Sequence, residues 1–475
     1  MIDPTQAAAT LRRRDPELEL DQQRFAERVP RETIGPTAAC LHVDDFSGIA
    51  MPPGDPLAHA CFGSRAFARA RTHDLVAGRC AQVDGLLDYL ETWLGFARPR
   101  YLAVPERPGA ASNLFEAMID DAQVLRTIGA WARERGGPPL LHPYMGHGWA
   151  WRLAMALDQV CGATVAVLAP SPVLTRRVND RLWFAELVRL LLGPEHALLS
   201  HPARSVAEIV ERMLALAESS AIIAVHRSDS ASGAGLMRFA AEHTREPEAL
   251  QQRLAAWTAA QGWSATSPAI SVERWEPDVL ASPSVQTWIP SVHEGAPIVD
   301  GIFDQRFDAD NPAVFVGSRP TTLPEPLVTT IATMADALCR TLQQLGYVGR
   351  CSFDTIVCGA TLQGATLRFV ECNGRWGGTS TTMALVERVL GDHRARAWSA
   401  RSVTLPSRVR LSEFIDAVAD VLYDHRTRQG WVLLNNVTCI EAVGALDVIT
   451  LGDEQAEAED RQRLLAERVR RRIGR

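Results

Sequence analysis

Apolar positions recur at helical spacing in several parts of this chain. Leu327, Ile331, Met334, Leu338, Leu342 and Leu345 form one stripe, and Gly346 supplies a stop, so the pattern predicts a long amphipathic helix. A second stripe, Ile209, Val210, Met213, Leu214 and Ala217, follows Ser205 and Glu208, whose spacing is that of a capping box. Asn179 or Asp180 can cap a third helix that ends at Gly193. Elsewhere the apolar runs are short. Over residues 99–171, strand-like runs at 101–104, 139–142 and 164–168 alternate with helix-like stretches at 113–135 and 149–160. Strand–helix alternation predicts an open α/β layer.

Further along, a strand at 221–225 leads into the small-residue loop 228–235, and residues 269–315 carry several strand-like stretches with turn signals. Two strands at 353–358 and 367–373 flank the turn 359–365, and Gly377-Gly378 opens another helix. Leu405-Pro406 reads as a linker. Beyond it the pattern predicts a helix, strands at 431–437 and 446–451, and a closing helix. The expected organisation is therefore 1–172, 173–404 and 405–475, with the first 35 residues a solvated polar lead-in.

Composition narrows the chemistry. At 475 residues, 47% apolar and 22% charged, the chain reads as a multidomain globular protein. It contains no lysine, so all 49 basic residues are arginine. That excludes a lysine Schiff base, a Walker-type P-loop and a standard protein-kinase site. A net charge of −7 argues against a nucleic-acid partner. No run reaches the about 18 apolar residues of a membrane helix, and no charged-then-apolar leader is visible. The nine cysteines are scattered, without CxxC or zinc-like spacing, and Cys351, Cys358 and Cys372 sit in apolar company. The expectation is a cytoplasmic protein with no membrane partner. The arginine cluster 468–472 ends a helix and reads as a solvated last turn.

Chemistry concentrates between Cys351 and Gly378. If 353–358 and 367–373 pair as an antiparallel hairpin, Glu371 and Asn373 share one face, because residues two apart on a strand do so. Asp354 then lies almost opposite Glu371, with cross-strand Cβ atoms about 5 Å apart. Two carboxylates and an amide oxygen suit Mg²⁺, and a cation offsets the repulsion between the carboxylates. Water-facing strand residues are the bland alternative on spacing alone. Arg375 then adds a bidentate fork, Gly377-Gly378 permits close backbone approach, and Thr379 or Ser380 starts a helix whose N–H groups attract an anion. Metal, guanidinium and helix terminus together read as a phosphoryl or acyl-phosphate site.

The run Phe369-Val370-Glu371-Cys372-Asn373-Gly374-Arg375-Trp376-Gly377-Gly378 resembles the Glu-x-Asn-x-Arg-x-Gly-Gly signature of the ATP-grasp superfamily. From Tyr101 onward the chain is similar to stand-alone, pheganomycin-type peptide ligases with a pre-ATP-grasp domain. The resemblance implies an α/β (α+β) architecture: an N-terminal pre-ATP-grasp α/β domain over 1–172, a two-lobed ATP-grasp fold over 173–404 (small lobe about 195–280, large lobe about 281–404) and a small α/β C-terminal domain over 405–475. It implies metal ligands Asp354, Glu371 and Asn373 for one or two Mg²⁺, or Mn²⁺. Arg375, Gly378 and Thr379 would hold the substrate carboxylate and the acyl phosphate made from it. Asn179-Asp180-Arg181 resembles the family's Asn-Asp-Lys, with Arg181 in the lysine's place; a helix cap plus surface arginine is the alternative. Ser232, Gly233 and Gly235 lie in a loop that resembles the one closing over the ATP triphosphate. The second phosphate-contacting lysine falls at His226, beside Arg227, and a core histidine is the alternative there. Glu273 and Trp275 match a strand lining adenine and ribose, with an ordinary amphipathic strand as the alternative. Gln305 and Arg319-Pro320 match by position alone and receive no role, and His147 reads as structural. The implied activity is ATP-dependent carboxylate–amine ligation in specialised metabolism, with small-molecule acid and amine substrates. A carrier-protein thiol as acceptor and a non-catalytic nucleotide binder are the rivals. Dimers are usual in the family.

Overall fold

The computed structural model describes residues 2–47, 49, 61–79, 83–105, 113–228, 230, 235–264, 266–308 and 314–473, the side chain of Phe62 excepted. Its strands form three sheets. The first has five parallel strands, β1 (Cys40–Val43), β2 (Leu75–Gly78), β3 (Arg100–Ala103), β4 (Leu140–Pro143) and β5 (Ala166–Val167), in the order β3-β2-β1-β4-β5. This is the open α/β layer expected from the alternation. Its central strand β1 and the neighbouring β2 were not read as strands; each has four residues buried on both faces without a period of two, and unlike the equally buried β4 neither stands between two helix-like stretches read from the sequence. The predicted helix over 113–135 is two helices, Leu114–Ile119 and Ala122–Glu134. Asp121 separates them by accepting from the Gln123 and Val124 amides at 2.8 and 3.2 Å.

The second sheet, β6 (Ser200–Ala203), β7 (Ile222–Arg227), β8 (Leu236–Ala240) and β9 (Ile270–Arg274), is antiparallel with order β6-β9-β7-β8. Helices Val206–Ala217 and Pro247–Ala260 supply Ile209, Met213 and Leu254 to a core shared with Ile223, Val225 and Phe239. The capping box is half formed. Ser205 accepts from the Glu208 amide at 3.2 Å, but the Glu208 carboxylate takes the Arg204 amide instead.

The third sheet has nine strands: β10 (Val279–Ala281), β11 (Pro283–Ile289), β12 (Ile298–Phe307), β13 (Phe315–Pro320), β14 (Gly349–Cys358), β15 (Thr366–Asn373), β16 (Ala397–Thr404), β17 (Val432–Asn435) and β18 (Ala445–Gly452). β14 lies between β15 and the β10–β11 run, and the sheet continues through β12, β13, β16 and β18 to β17. Residues 405–475 thus have no sheet of their own; their two strands extend the one that begins at β15. Leu11, Phe184, Ile331, Leu338, Phe353 and Phe369 share one core on this sheet, beneath helices Arg181–Leu191 and Glu325–Gln344.

The first 35 residues are not a solvated lead-in. They fold as helices Pro4–Arg14 and Glu17–Phe25, the first capped by Asp3, and Ala7, Ala8, Leu11 and Leu18 are buried in the large-sheet core. Arginines and glutamates dominate the outer faces of these helices, which is why their sparse apolar stripe looks solvated in the sequence. The closing part of the chain keeps the expected order of helix Leu411–Val418, β17, β18 and helix Gln455–Ile473, with a short unforeseen helix, Cys439–Val443, between the two strands.

Candidate active site

Hairpin pairing of β14 with β15 sets Asp354 directly opposite Glu371 and Ser352 opposite Asn373, with a register shift just after Asp354. Asn373 Nδ2 donates to Asp354 Oδ2 at 3.0 Å and to Glu371 Oε1 at 3.5 Å, so the three oxygen-bearing side chains converge. Neighbouring strands brace them. Ser284 donates to Asp354 Oδ1 at 2.7 Å, and Gln286 donates to Ser284 at 3.0 Å. Gln305, which the sequence left without a role, hydrogen-bonds Asp354 from β12. Ser284 and Gln286 carry no signal of their own in the sequence; their alternation along β11 becomes informative once β11 is paired with β14.

Burial and the adjacent Glu371 carboxylate push Asp354 up to about 7. Glu371 goes the other way. Burial raises it, but Arg181 and Arg375 outweigh burial and hold it below the usual carboxylate range. Arg181 Nη2 donates to Glu371 Oε2 at 2.5 Å, and Nη1 lies 3.9 Å from Glu273. Arg181 therefore sits at the predicted site but turns toward its carboxylates. Asp180 caps the helix that carries it.

Asn179 positions the next residues. Its Oδ1 accepts from the Gly374 amide at 3.1 Å and from Arg375 Nη1 at 2.9 Å, while Arg375 Nε is buried without a partner among the described residues. Trp376 donates its indole N–H to His142 Nε2 at 3.0 Å, its amide donates to the Tyr144 carbonyl, and Arg69 covers its ring at 4.5 Å. After it, Gly377 caps helix Gly378–Leu390, whose first residues face the same space as Arg375.

The carboxylates, both arginines and this helix start line one cavity of about 600 Å³. Arg181, His226, Glu273, Trp275, Asp354, Glu371, Asn373, Arg375, Gly378 and Thr379, ten of the residues singled out from sequence, lie on its wall. Gly235 does not; it sits at φ +72°, where its carbonyl accepts from the Arg227 amide. Ser232 and Gly233 lie outside the described residues. His226 is buried on β7, and burial together with Arg181 holds its imidazole well below the usual range, hence neutral. Its Nε2 has no partner among the described residues. Arg227 points elsewhere, donating to the Gln261 carbonyl at 2.6 Å. Arg238 lies 5.0 Å above the Trp275 ring, and His147 packs edge-on against Phe115.

Cys40, His42 and His142 also bring ligand-type atoms within 4.8 Å of one another. There, however, Asp74 takes His42 Nε2 at 3.0 Å, Trp376 takes His142 Nε2, and Arg69, Arg71 and Arg350 surround the pair. Three guanidinium groups oppose a further cation. This cluster seats Trp376.

No protein-family model and no curated protein matches the chain. Solved structures do. The ADP complex of an N5-carboxyaminoimidazole ribonucleotide synthetase matches with a TM-score of 0.55 and 11% identity, covering 92% of this chain and 98% of that one. The Staphylococcus aureus N5-carboxyaminoimidazole synthetase gives 0.52 and 10%, covering 93% and 100%. The biotin carboxylase domain of Hydrogenobacter thermophilus 2-oxoglutarate carboxylase, in complex with MgADP, ADP and bicarbonate, gives 0.52 and 10%, covering 90% of each chain. At such identities the likeness is one of fold: the chain has the fold that these synthetases and the biotin carboxylase domain share.

Proposed function

We propose that this protein is an ATP-dependent ligase that joins a carboxylic acid to an amine through an acyl phosphate, forming an amide or peptide bond. The observation that carries this reading is the convergence of Asp354, Glu371 and Asn373 on one cavity wall with Arg375 and the start of helix Gly378–Leu390. The donor set fits a hard dication. Arg181 and Arg375 hold Glu371 low, whereas burial and the Glu371 charge leave Asp354 raised to about 7, a carboxyl that a cation would compensate. Asp354, Glu371 and Asn373 would hold one or two Mg²⁺, which when bound screen the charge on the ATP β- and γ-phosphates.

The remaining roles belong to the chain itself. Glu273 and Trp275 on the β9 side hold the nucleoside end of ATP, with neutral His226 offering Nε2 toward the phosphates. Arg375 and the amides of Gly378 and Thr379 hold the substrate carboxylate while one of its oxygens attacks the γ-phosphorus. A C–O–P linkage forms, the bond to the β–γ bridging oxygen breaks, and ADP leaves. The same donors then steady the oxygen of the acyl phosphate as the amine adds to its carbonyl carbon. The C–N bond forms, the C–O bond to phosphate breaks, and the amine proton passes to solvent or phosphate. No protein nucleophile is required, so catalysis rests on positioning and electrostatics.

The test is ADP and phosphate release by the purified protein with ATP, Mg²⁺ and a panel of amino acids and small acids. Release should require both an acid and an amine, and Glu371→Gln should lower it by about 100-fold or more. Full turnover by that variant would remove the metal assignment.

A further inference from the structure

Resting on the ligase reading, one further side chain has both the position and the unspent bonding capacity to act on the reacting carboxyl. Register and alternation place it. On the large sheet Ser284 pairs with Asp354 on one side and with Phe303 on the other. Gln305, two residues beyond Phe303, therefore shares the face that carries Asp354. Ser318 on β13 lies directly opposite Gln305, and Ala400 on β16 directly opposite Ser318, so both belong to that face as well. Gln305 spends its side chain on Asp354, and the Ala400 methyl offers no hydrogen bond. The Ser318 hydroxyl is left without a partner among the described residues, although the residue is only 1% exposed. It lines the same cavity as the carboxylates.

A buried hydroxyl left unmatched destabilises a fold, and it persists where something outside the chain completes it. The space it faces lies between β13 and the start of helix Gly378–Leu390. That helix crosses over this strand: a Cβ added to Gly378 would meet the Phe315 ring at 3.2 Å, and Thr379 and Thr382 also line the cavity. A register shift brings Phe315 opposite Phe307, two residues past Gln305, so its ring rises from the same face as Ser318. The carboxyl held at the helix start thus has Ser318 on its sheet side. Arg375, a full cation, grips a carboxylate before and during reaction alike. A neutral O–H gains most when new charge develops on the oxygen it meets.

We propose that Ser318 is a catalytic residue whose O–H donates to the carbonyl oxygen of the acyl phosphate from the sheet side, across from the helix amides. As the amine adds, the C–N bond forms and the carbonyl π pair moves onto that oxygen, where the Ser318 hydrogen bond strengthens. When the pair returns, the C–O bond to phosphate breaks, phosphate leaves, and the amine proton passes to phosphate or solvent. Ser318 keeps its own proton throughout, so the step needs no base beside it.

The experiment uses the full chain with ATP, Mg²⁺ and hydroxylamine in place of the amine. Hydroxamate formation across a panel of acids first identifies a donor for the wild type. With that donor saturating, Ser318→Ala should lower kcat by about 100-fold, the range for losing one oxyanion donor, while the KM for ATP is unchanged. The same variant should unfold at an equal or higher urea concentration than the wild type, because it removes an unmatched buried hydroxyl. A wild-type kcat in Ser318→Ala, a fall in kcat accompanied by a lower urea midpoint, or an effect confined to the KM for ATP would each overturn the assignment and leave the ligase reading intact. Absence of hydroxamate from the wild type with every acid would instead sink the ligase reading, and this assignment with it.

Discussion

Arg181 illustrates what a single residue's identity does and does not convey. The Asn-Asp-Arg run suggests a capped helix start, and in the structure Asp180 caps the helix and Arg181 lines the cavity. Its direction was illegible, because direction depends on which charges the fold brings near. Glu371 and Glu273 arrive from β15 and β9, and the guanidinium turns to them. Arg181→Ala would leave Glu371 and Glu273 facing each other in a largely buried space. It should cost about 3–5 kcal/mol in urea unfolding, whereas Arg181→Lys keeps a charge and should lose less. Equal losses for both would mean that charge compensation is not its role. His226 is the converse case: a core histidine and a phosphate-side histidine are equally compatible with its sequence, and the structure buries it on β7 at the cavity wall.

Among the elements, the β14–β15 hairpin was legible down to its register, since a short turn leaves few ways to pair two alternating strands. The residues just beyond the hairpin are placed by contacts with distant helices instead. Gly374 ends the strand against helix Pro172–Val178, and a Cβ there would come within 2.3 Å of Val178 and 3.0 Å of the Asn179 amide nitrogen. Gly374→Ala should therefore displace Asn179 and, through it, Arg375. The expected outcome is a KM for the acid raised about tenfold or more, with unfolding easier by about 1–3 kcal/mol. A kinetically silent Gly374→Ala would detach Asn179 from the site. The β1 and β2 strands mark the opposite limit. Four residues buried on both faces carry no periodicity, so such a strand is legible only from its neighbours, as β4 was between two helix-like stretches and β1 and β2 were not.

At the scale of the molecule, the first sheet meets the large one through Trp376 and the imidazoles of His42 and His142. Burial holds both imidazoles below their ordinary 6.5 and so neutral, although Asp74 pulls His42 the other way. Below about 6.5 the unfolded chain binds protons that this seam refuses, so stability present above that value is lost as the pH falls. Asp354 contributes with the opposite sign, gaining its proton below about 7. The prediction therefore concerns a difference: His142→Phe should make the urea midpoint less sensitive to acid between pH 6.5 and 5, by up to about 1.4 kcal/mol per pH unit. Identical slopes would show that His142 is not neutral in the fold. The seam also bears on how the chain is made. Residues from 66–96 and from 411–469 contribute to a single core, and Arg65 meets Asp447 across nearly the whole sequence. A nascent chain leaving the ribosome cannot close that core until its last strands have emerged. The cavity wall that Arg65 and Asp447 line is thus completed at the end of synthesis, and a half-made polypeptide has no finished chamber.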